Sequence, residues 1–160
     1  MQKTNEQIVI VGLGYIGLPT AVMLANCGYD VIGYDVDRKK INAISNREIS
    51  NEEPGLILQL DNALKTKKLL LTSYLPLGSC YVIAVPTPVD EKSKQSDLKI
   101  LEEILIEITK QLKQKDLVII ESTVPVGTTR TFEKQLIVKR PDLISDNKLS
   151  IDICYCPERV

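Results

Sequence analysis

Three glycines near the start of the chain have the spacing of a phosphate-binding turn. The segment GLGYIG, residues 12–17, matches G-x-G-x-x-G and lies between an apolar run at 7–11 and a stretch of helical period. In such a turn Gly12 permits the tight bend, Gly14 lets a pyrophosphate approach the bare backbone, and Gly17 lets helix and strand pack closely. The segment predicts a dinucleotide site, and a tight turn without a ligand is the alternative.

A carboxylate stands where the second predicted strand ends, at Asp35, 18 residues after Gly17. From there a carboxylate accepts hydrogen bonds from the adenosine ribose and repels a phosphate, which favours NAD over NADP. Arg38, Lys39 and Lys40 follow, and a cation beside the ribose could tolerate that phosphate. The alternative is that these three are solvated charges in the first turn of a helix. We predict that NAD binds more tightly than NADP.

Three unusual segments follow the fourth, fifth and sixth predicted strands. All are rigid, hydroxyl-rich or charged: PTP at 86–88, STVPVGTT at 122–129 and CPERV at 156–160. In an open α/β sheet the ligand lies beyond the carboxyl ends of the strands, so we expect these segments to converge on the cofactor. Each also has a structural explanation, because prolines end strands and Ser122 or Thr123 could cap a helix that Pro125 opens.

Short β-branched runs alternate with longer stretches of helical period, which is typical of a parallel α/β sheet. The predicted strands lie at 7–11, 31–34, 69–72, 81–85, 117–121 and 151–155. We therefore expect an α/β fold with a doubly wound (Rossmann), mostly parallel six-stranded sheet in the order 3-2-1-4-5-6.

The helix after the glycine turn is expected to end at Gly28. Its helical spacing predicts a buried stripe of five residues: Ile16, Thr20, Met23, Leu24 and Cys27.

Length and composition indicate one globular domain over residues 1–160, with 44% apolar and 26% charged residues. The net charge of −1 and the lack of a basic run argue against nucleic acid as a partner. The apolar runs are strand-sized and residues 1–6 are polar, so we expect no membrane span, no signal peptide and a cytoplasmic location.

The chain has four cysteines and no histidine. The cysteines are too few and too scattered for a disulfide scaffold or a zinc site, and ordinary burial is expected for all four. Acid–base chemistry within the chain must use carboxylates, lysines, hydroxyl groups or water.

Five segments together resemble one enzyme family over the entire chain: VGLGYIGLPTA, EPGL, IAVPTP, ESTVPVGTT and YCPERV. The chain is similar to the UDP-glucose/GDP-mannose dehydrogenase family. Within it, the last three segments look most like the branch that oxidises UDP-N-acetylmannosamine or UDP-N-acetylglucosamine.

This resemblance implies a four-electron oxidation of a nucleotide sugar, from primary alcohol to carboxylate, with reduction of two NAD molecules in polysaccharide biosynthesis. It implies that Thr87 and Thr123 line the nicotinamide side, that Thr123 helps to position a water molecule, and that Glu158 acts as base when a thioester is hydrolysed. The full set of residues expected to bind the cofactor is Gly12, Gly14, Tyr15, Ile16, Gly17, Asp35, Lys40, Thr87 and Thr123.

The resemblance also implies that the chain is the N-terminal part of a longer enzyme. The nucleophilic cysteine and most contacts with the UDP-sugar belong to a later domain, and a central helix beyond residue 160 makes the full enzyme a homodimer or larger. We therefore expect the 160 residues to be inactive alone.

Other functions are compatible with the dinucleotide turn. A UDP-glucose or GDP-mannose dehydrogenase of the same family is one, a hydroxyacid dehydrogenase is another, and a non-catalytic nucleotide-sensing module is a third. A hydroxyacid dehydrogenase would leave the segment Pro-Glu-Arg-Val after the sixth strand unexplained. A sensing module needs neither Thr123 nor Glu158.

Overall fold

A computed structural model describes residues 7–49 and 55–158. The strands are β1 (Gln7–Val11), β2 (Asp30–Tyr34), β3 (Leu69–Thr72), β4 (Cys80–Ile83), β5 (Leu117–Ile120), β6 (Ile144–Ser145), β7 (Lys148–Leu149) and β8 (Asp152–Tyr155). The helices are α1 (Gly17–Asn26), α2 (Arg38–Asn46), α3 (Leu56–Lys65), α4 (Lys99–Gln111) and α5 (Thr128–Lys139).

Six strands form one parallel sheet in the order β3-β2-β1-β4-β5-β8. This confirms the predicted fold class and strand order, with β8 in the sixth position. A two-stranded hairpin of β6 and β7, which the sequence did not predict, lies between α5 and β8.

The sheet has a hydrophobic core on each face. Ile8 and Ile10 of β1 pack toward α1, α2 and α3, whereas Val9 and Val11 pack toward α4 and α5. Successive side chains of a strand point to opposite faces, so a central parallel strand is apolar throughout. The carboxyl end of β1, where the glycine turn begins, is thereby held between two cores.

The buried face of α1 differs from the prediction. Leu18, Ala21, Val22 and Ala25 are buried, while Met23 is 54% exposed and Cys27 is also exposed. Gly17, Ala21 and Ala25 recur every four residues, so their small side chains form the strip that approaches the sheet. The helix is apolar on several sides, and this close approach decides which side is buried. Gly28 does end the helix in a left-handed conformation, as predicted.

The expected burial of the cysteines is wrong for three of the four. Cys154 and Cys156, like Cys27, are exposed, and Cys80 is partly buried. Cys154 lies on β8, which is an edge strand, so its side chain has a neighbouring strand on one side only.

The helix expected to open at Pro125 begins later. Gly127 has a φ of 95° and is the N-cap residue, and α5 starts at Thr128. Pro125 instead accepts hydrogen bonds through its carbonyl from the Thr128 N–H and hydroxyl groups. The left-handed residue at 127 separates the proline from the helix, so neither Ser122 nor Thr123 caps it.

Candidate functional site

The glycine turn connects β1 to α1 through two close backbone contacts. Gly12 has a φ of 92°, and a Cβ atom there would lie 2.6 Å from the Ala84 carbonyl oxygen. A Cβ atom on Gly17 would lie 1.9 Å from the Gly12 carbonyl oxygen. By contrast, a Cβ on Gly14 would meet nothing within 4 Å. Two glycines are therefore required by the protein's own packing, and the third leaves an open surface above the turn.

Asp35 lies at the end of β2 directly beside this turn. Its Oδ2 accepts hydrogen bonds from the Leu13 N–H (2.9 Å) and from Lys40 Nζ (2.7 Å), and its Oδ1 accepts one from the Asp37 N–H (3.0 Å). Burial by itself raises the pKa of Asp35, but the hydrogen bonds from Lys40 and the two backbone amides outweigh burial, so the pKa is lowered overall. Asp35 is thus an ionised and oriented acceptor.

A cavity of about 410 Å³ opens beside Asp35, between the ends of β1 and β2 and helix α4. Its apolar walls come from Val36, Val85, Ile100 and Ile104. Four carboxyl side chains also line it, those of Asp35, Asp37, Glu103 and Glu107. Apolar walls with carboxylates among them suit the flat base and polar ribose of a nucleoside.

Two of the three cations after Asp35 have separate partners. Lys40 pairs with Asp35, whereas Arg38 lies over the Tyr74 ring, 5.2 Å from its centroid, and donates to the Tyr74 hydroxyl. Lys40 also lines a second cavity of about 360 Å³ together with Gly14 and Tyr15, on the other side of the turn. Lys40 is therefore the cation that pairs with the Asp35 carboxylate.

The segments after β4 and β5 come together. Thr87 Oγ1 donates a hydrogen bond of 2.7 Å to the carbonyl of Thr123. The buried Ser122 hydroxyl reaches the carbonyls of Val85 (2.7 Å) and Ile83 (3.2 Å), so it ties β5 to β4 instead of capping a helix. The two predicted threonine positions are therefore neighbours.

The segment after β8 runs beside the end of β5. The Cys156 N–H donates to the Ile120 carbonyl at 3.0 Å, and the Val124 N–H lies 3.5 Å from the Tyr155 hydroxyl. Glu158 follows two residues after Cys156 and is exposed. Residues 159–160 of the predicted CPERV segment, and residues 53–54 of EPGL, lie outside the described residues.

One residue of the site, Glu121, was missed by the sequence analysis. Its Oε1 lies 3.2 Å from Thr20 Oγ1 of α1, and its Oε2 is buried without a hydrogen-bond partner among the described residues. Burial raises the pKa of Glu121, the contact with Thr20 lowers it less, and the nearby charge of Glu158 raises it further. A glutamate at the end of an apolar strand was the available signal.

Comparison with known proteins places these features in a family. The sequence profile described as the NAD binding domain of the UDP-glucose/GDP-mannose dehydrogenase family matches residues 6–160. A UDP-N-acetyl-D-mannosamine dehydrogenase from Methanococcus maripaludis is 39% identical over 158 residues, which are 97% of this chain and 34% of that protein. The chain spans about a third of the length of the curated relatives it matches.

Solved structures give the same result. A UDP-N-acetyl-mannosamine dehydrogenase from Staphylococcus aureus has a TM-score of 0.86 and 34% identity, over 96% of this chain and 37% of that one. A GDP-mannose dehydrogenase from Pseudomonas aeruginosa has a TM-score of 0.82 and 29% identity, over 96% of this chain and 36% of that one.

Within residues 7–49 and 55–158, no helix is both long and apolar enough to cross a bilayer.

The family match covers the glycine turn, Asp35 and the converging segments after β4, β5 and β8. The cofactor is NAD, and the open surface at Gly14 and the ionised Asp35 fit it. The chain belongs to the UDP-glucose/GDP-mannose dehydrogenase family, as its NAD-binding domain.

Proposed function

We propose that this chain is the N-terminal, cofactor-binding part of a longer dehydrogenase that oxidises a UDP-N-acetylhexosamine, UDP-N-acetylmannosamine or UDP-N-acetylglucosamine, to its uronic acid. The observation that carries the proposal is the hydrogen bond between Thr87 and the Thr123 carbonyl, which joins two predicted nicotinamide-side segments. The named activities of the relatives from Methanococcus maripaludis and Staphylococcus aureus support the choice of sugar.

The proposed binding of NAD follows the geometry of the turn. Gly12 and Gly17 shape it, and the backbone of Gly14, Tyr15 and Ile16 at the start of α1 faces the pyrophosphate.

Asp35 accepts a hydrogen bond from a ribose hydroxyl through Oδ1, which accepts one hydrogen bond, from the Asp37 N–H, and keeps a second lone pair. Both lone pairs of Oδ2 are already used by the Leu13 N–H and Lys40 Nζ.

Lys40 fixes the orientation of the Asp35 carboxylate, to which it donates a hydrogen bond of 2.7 Å. At the other end of the cofactor, Thr87 and Thr123 lie on the nicotinamide side.

The proposed chemistry of the chain itself lies in Thr123 and Glu158. When bound, NAD accepts the hydride removed from the sugar carbon. Thr123 orients a water molecule. Glu158 takes a proton from this water while the water oxygen attacks the thioester carbon, and the carbon–sulfur bond breaks to release the thiolate. The chain contains no histidine, so a carboxylate is a suitable base for this step.

The thioester itself would form on a cysteine in the remaining two thirds of the protein. We therefore propose that the 160 residues bind NAD but do not turn over UDP-sugars by themselves. The longer protein is proposed to be a cytoplasmic homodimer or larger oligomer, which light scattering of that protein would measure.

Two substitutions in the longer protein test the proposal. Thr123→Ala and Glu158→Gln should leave the dissociation constant for NAD within about twofold. They should also lower kcat for a UDP-N-acetylhexosamine about 100-fold or more, because a positioned base contributes at least that factor. Glu133→Gln, on the exposed surface of α5, is the matched control and should keep native kcat. Unchanged turnover in both site variants would favour a non-catalytic module.

A further inference from the structure

Helix α4 turns one of its sides toward the cavity beside Asp35. Four residues of the helix line that cavity: Ile100, Glu103, Ile104 and Glu107. They stand at positions i, i+3, i+4 and i+7, which share one face of a helix. Apolar and acidic side chains alternate along this face, so it can contact a flat ring and also accept hydrogen bonds from the edge of that ring.

The apolar walls of the cavity include side chains that are open to solvent. Val36, which directly follows Asp35, is 78% exposed, and Ile100 on the α4 side is 49% exposed. Transfer of apolar surface out of water is favourable, so a flat ring that enters the cavity is stabilised by covering these two side chains.

A nucleoside whose ribose binds at Asp35 would extend its base toward α4, because Asp35 lies on the strand side of the cavity and α4 forms the other side. In adenosine the ribose is attached to the five-membered ring of the base, whereas the amino group is on the six-membered ring. That amino group is a hydrogen-bond donor. The donor edge of the base therefore comes to the side of the cavity that carries the α4 carboxylates.

The two carboxylates of this face differ in what they already bind. Glu107 Oε1 accepts a hydrogen bond from Lys110 Nζ, three residues further along the helix. Glu103 has no hydrogen bond or ion pair with any other residue of the ranges 7–49 and 55–158. An ionised carboxylate accepts hydrogen bonds and donates none, so Glu103 is an acceptor that α4 keeps free for a ligand.

We propose that Glu103 accepts a hydrogen bond from the 6-amino group of the adenine of NAD and thereby makes the site selective for this base. Hypoxanthine has a carbonyl oxygen in place of the amino group, and a carboxylate repels that oxygen. The carboxyl groups of Asp35, Asp37 and Glu107 line the same cavity and also favour a base that presents a donor. This inference rests on the proposed binding of the ribose at Asp35.

Calorimetric titration of the 160-residue chain with NAD and with nicotinamide hypoxanthine dinucleotide tests the inference. The second ligand has a carbonyl oxygen where adenine has its amino group, and the rest of the cofactor is kept. We expect NAD to bind about tenfold more tightly, because only NAD can donate a hydrogen bond to the charged Glu103. Equal affinities for the two dinucleotides would overturn the inference.

Two substitutions on α4 assign the preference to one side chain. The amide group of Glu103→Gln can donate to the hypoxanthine oxygen and can also accept from the adenine amino group, so the two affinities should come within about twofold of each other. Glu102→Gln removes the same charge from the neighbouring position, which lines the groove between α4 and α5, and should keep the native preference. A native preference in Glu103→Gln, or its loss in Glu107→Gln instead, would contradict the assignment.

Failure of this inference can be distinguished from failure of the proposed function. If NAD binds and the hypoxanthine dinucleotide binds equally well, the role of Glu103 is wrong and the NAD site remains. Absence of NAD binding would contradict both. The kinetic test of Thr123 and Glu158 concerns the nicotinamide end of the cofactor, so its result does not depend on which base is bound.

Discussion

The Thr87 hydroxyl group donates a hydrogen bond of 2.7 Å to the carbonyl oxygen of Thr123, across a separation of 36 residues. The bond joins the segments that leave β4 and β5 at the carboxyl edge of the sheet. The Ser122 hydroxyl group also links the two segments, through its hydrogen bonds to the carbonyls of Val85 and Ile83. The two threonines are therefore held in fixed relation before any ligand binds.

Removal of this bond should loosen the junction. Thr87→Val keeps the side-chain shape but removes the donor, and should lower the free energy of unfolding by about 1 kcal/mol, the usual net contribution of one hydrogen bond. Thr87→Ser retains the hydroxyl group and serves as the control. Urea denaturation measures both variants, and equal stability of Thr87→Val and Thr87→Ser would show that the bond does not hold the segments together.

Substitution of Gly17 should affect the stability of the domain, whereas substitution of Gly14 should affect its affinity for NAD. Gly17→Ala would force a Cβ against the Gly12 carbonyl and should destabilise the domain by about 3 kcal/mol or more. Gly14→Ala meets open space, so stability should stay within about 0.5 kcal/mol of native. Its NAD affinity should fall about tenfold, or about 1.4 kcal/mol, because the methyl group would occupy the surface proposed to bind the pyrophosphate. Native affinity in Gly14→Ala would place the pyrophosphate elsewhere.

The carboxyl groups of Asp35 and Glu121 should make the free energy of unfolding depend on pH in opposite directions. The pKa of Asp35 is lowered, so its stabilising effect is present above its ordinary value of 3.8 and is lost as the pH falls through the lower folded value. The pKa of Glu121 is raised, so its effect is present below 4.5 and is lost as the pH rises through the higher folded value.

Denaturation of the Asp35→Asn and Glu121→Gln variants over the pH range checks both signs. Asp35→Asn should make the free energy of unfolding less dependent on pH in acid, and Glu121→Gln should make it less dependent on pH above 4.5. The reverse pattern would contradict both assignments.

The exposed thiols give a direct check of the packing of α1 and β8. Cys27, Cys154 and Cys156 should react readily with a thiol reagent in the folded protein, and Cys80 should react more slowly. Reaction of only one thiol in the native state would show that these surfaces are covered.

The sheet could be predicted from the sequence because short β-branched runs alternate with stretches of helical period. After Gln7, the run at 7–11 is apolar at every position from 8 to 11, as expected for a strand buried on both faces, and β1 has the predicted bounds. The convergence of Thr87 and Thr123 also followed from topology alone, since parallel strands end at the same edge.

Other features depended on contacts that no local pattern contains. Helix α1 is apolar on several sides, and the contact of Gly17 with Gly12 selects the buried side. Gly127 delays α5 through its left-handed conformation. Glu121 and Thr20 are 101 residues apart, so neither residue indicates the other in the sequence.

Calorimetric titration of the 160-residue chain with NAD and NADP tests the central claim most directly. We predict one NAD site per chain, with weaker binding of NADP, because a 2′-phosphate would be repelled by the ionised Asp35 at the proposed ribose site. Asp35→Asn should reduce this preference. Absence of NAD binding, or NADP binding as tightly as NAD, would contradict the proposed cofactor site.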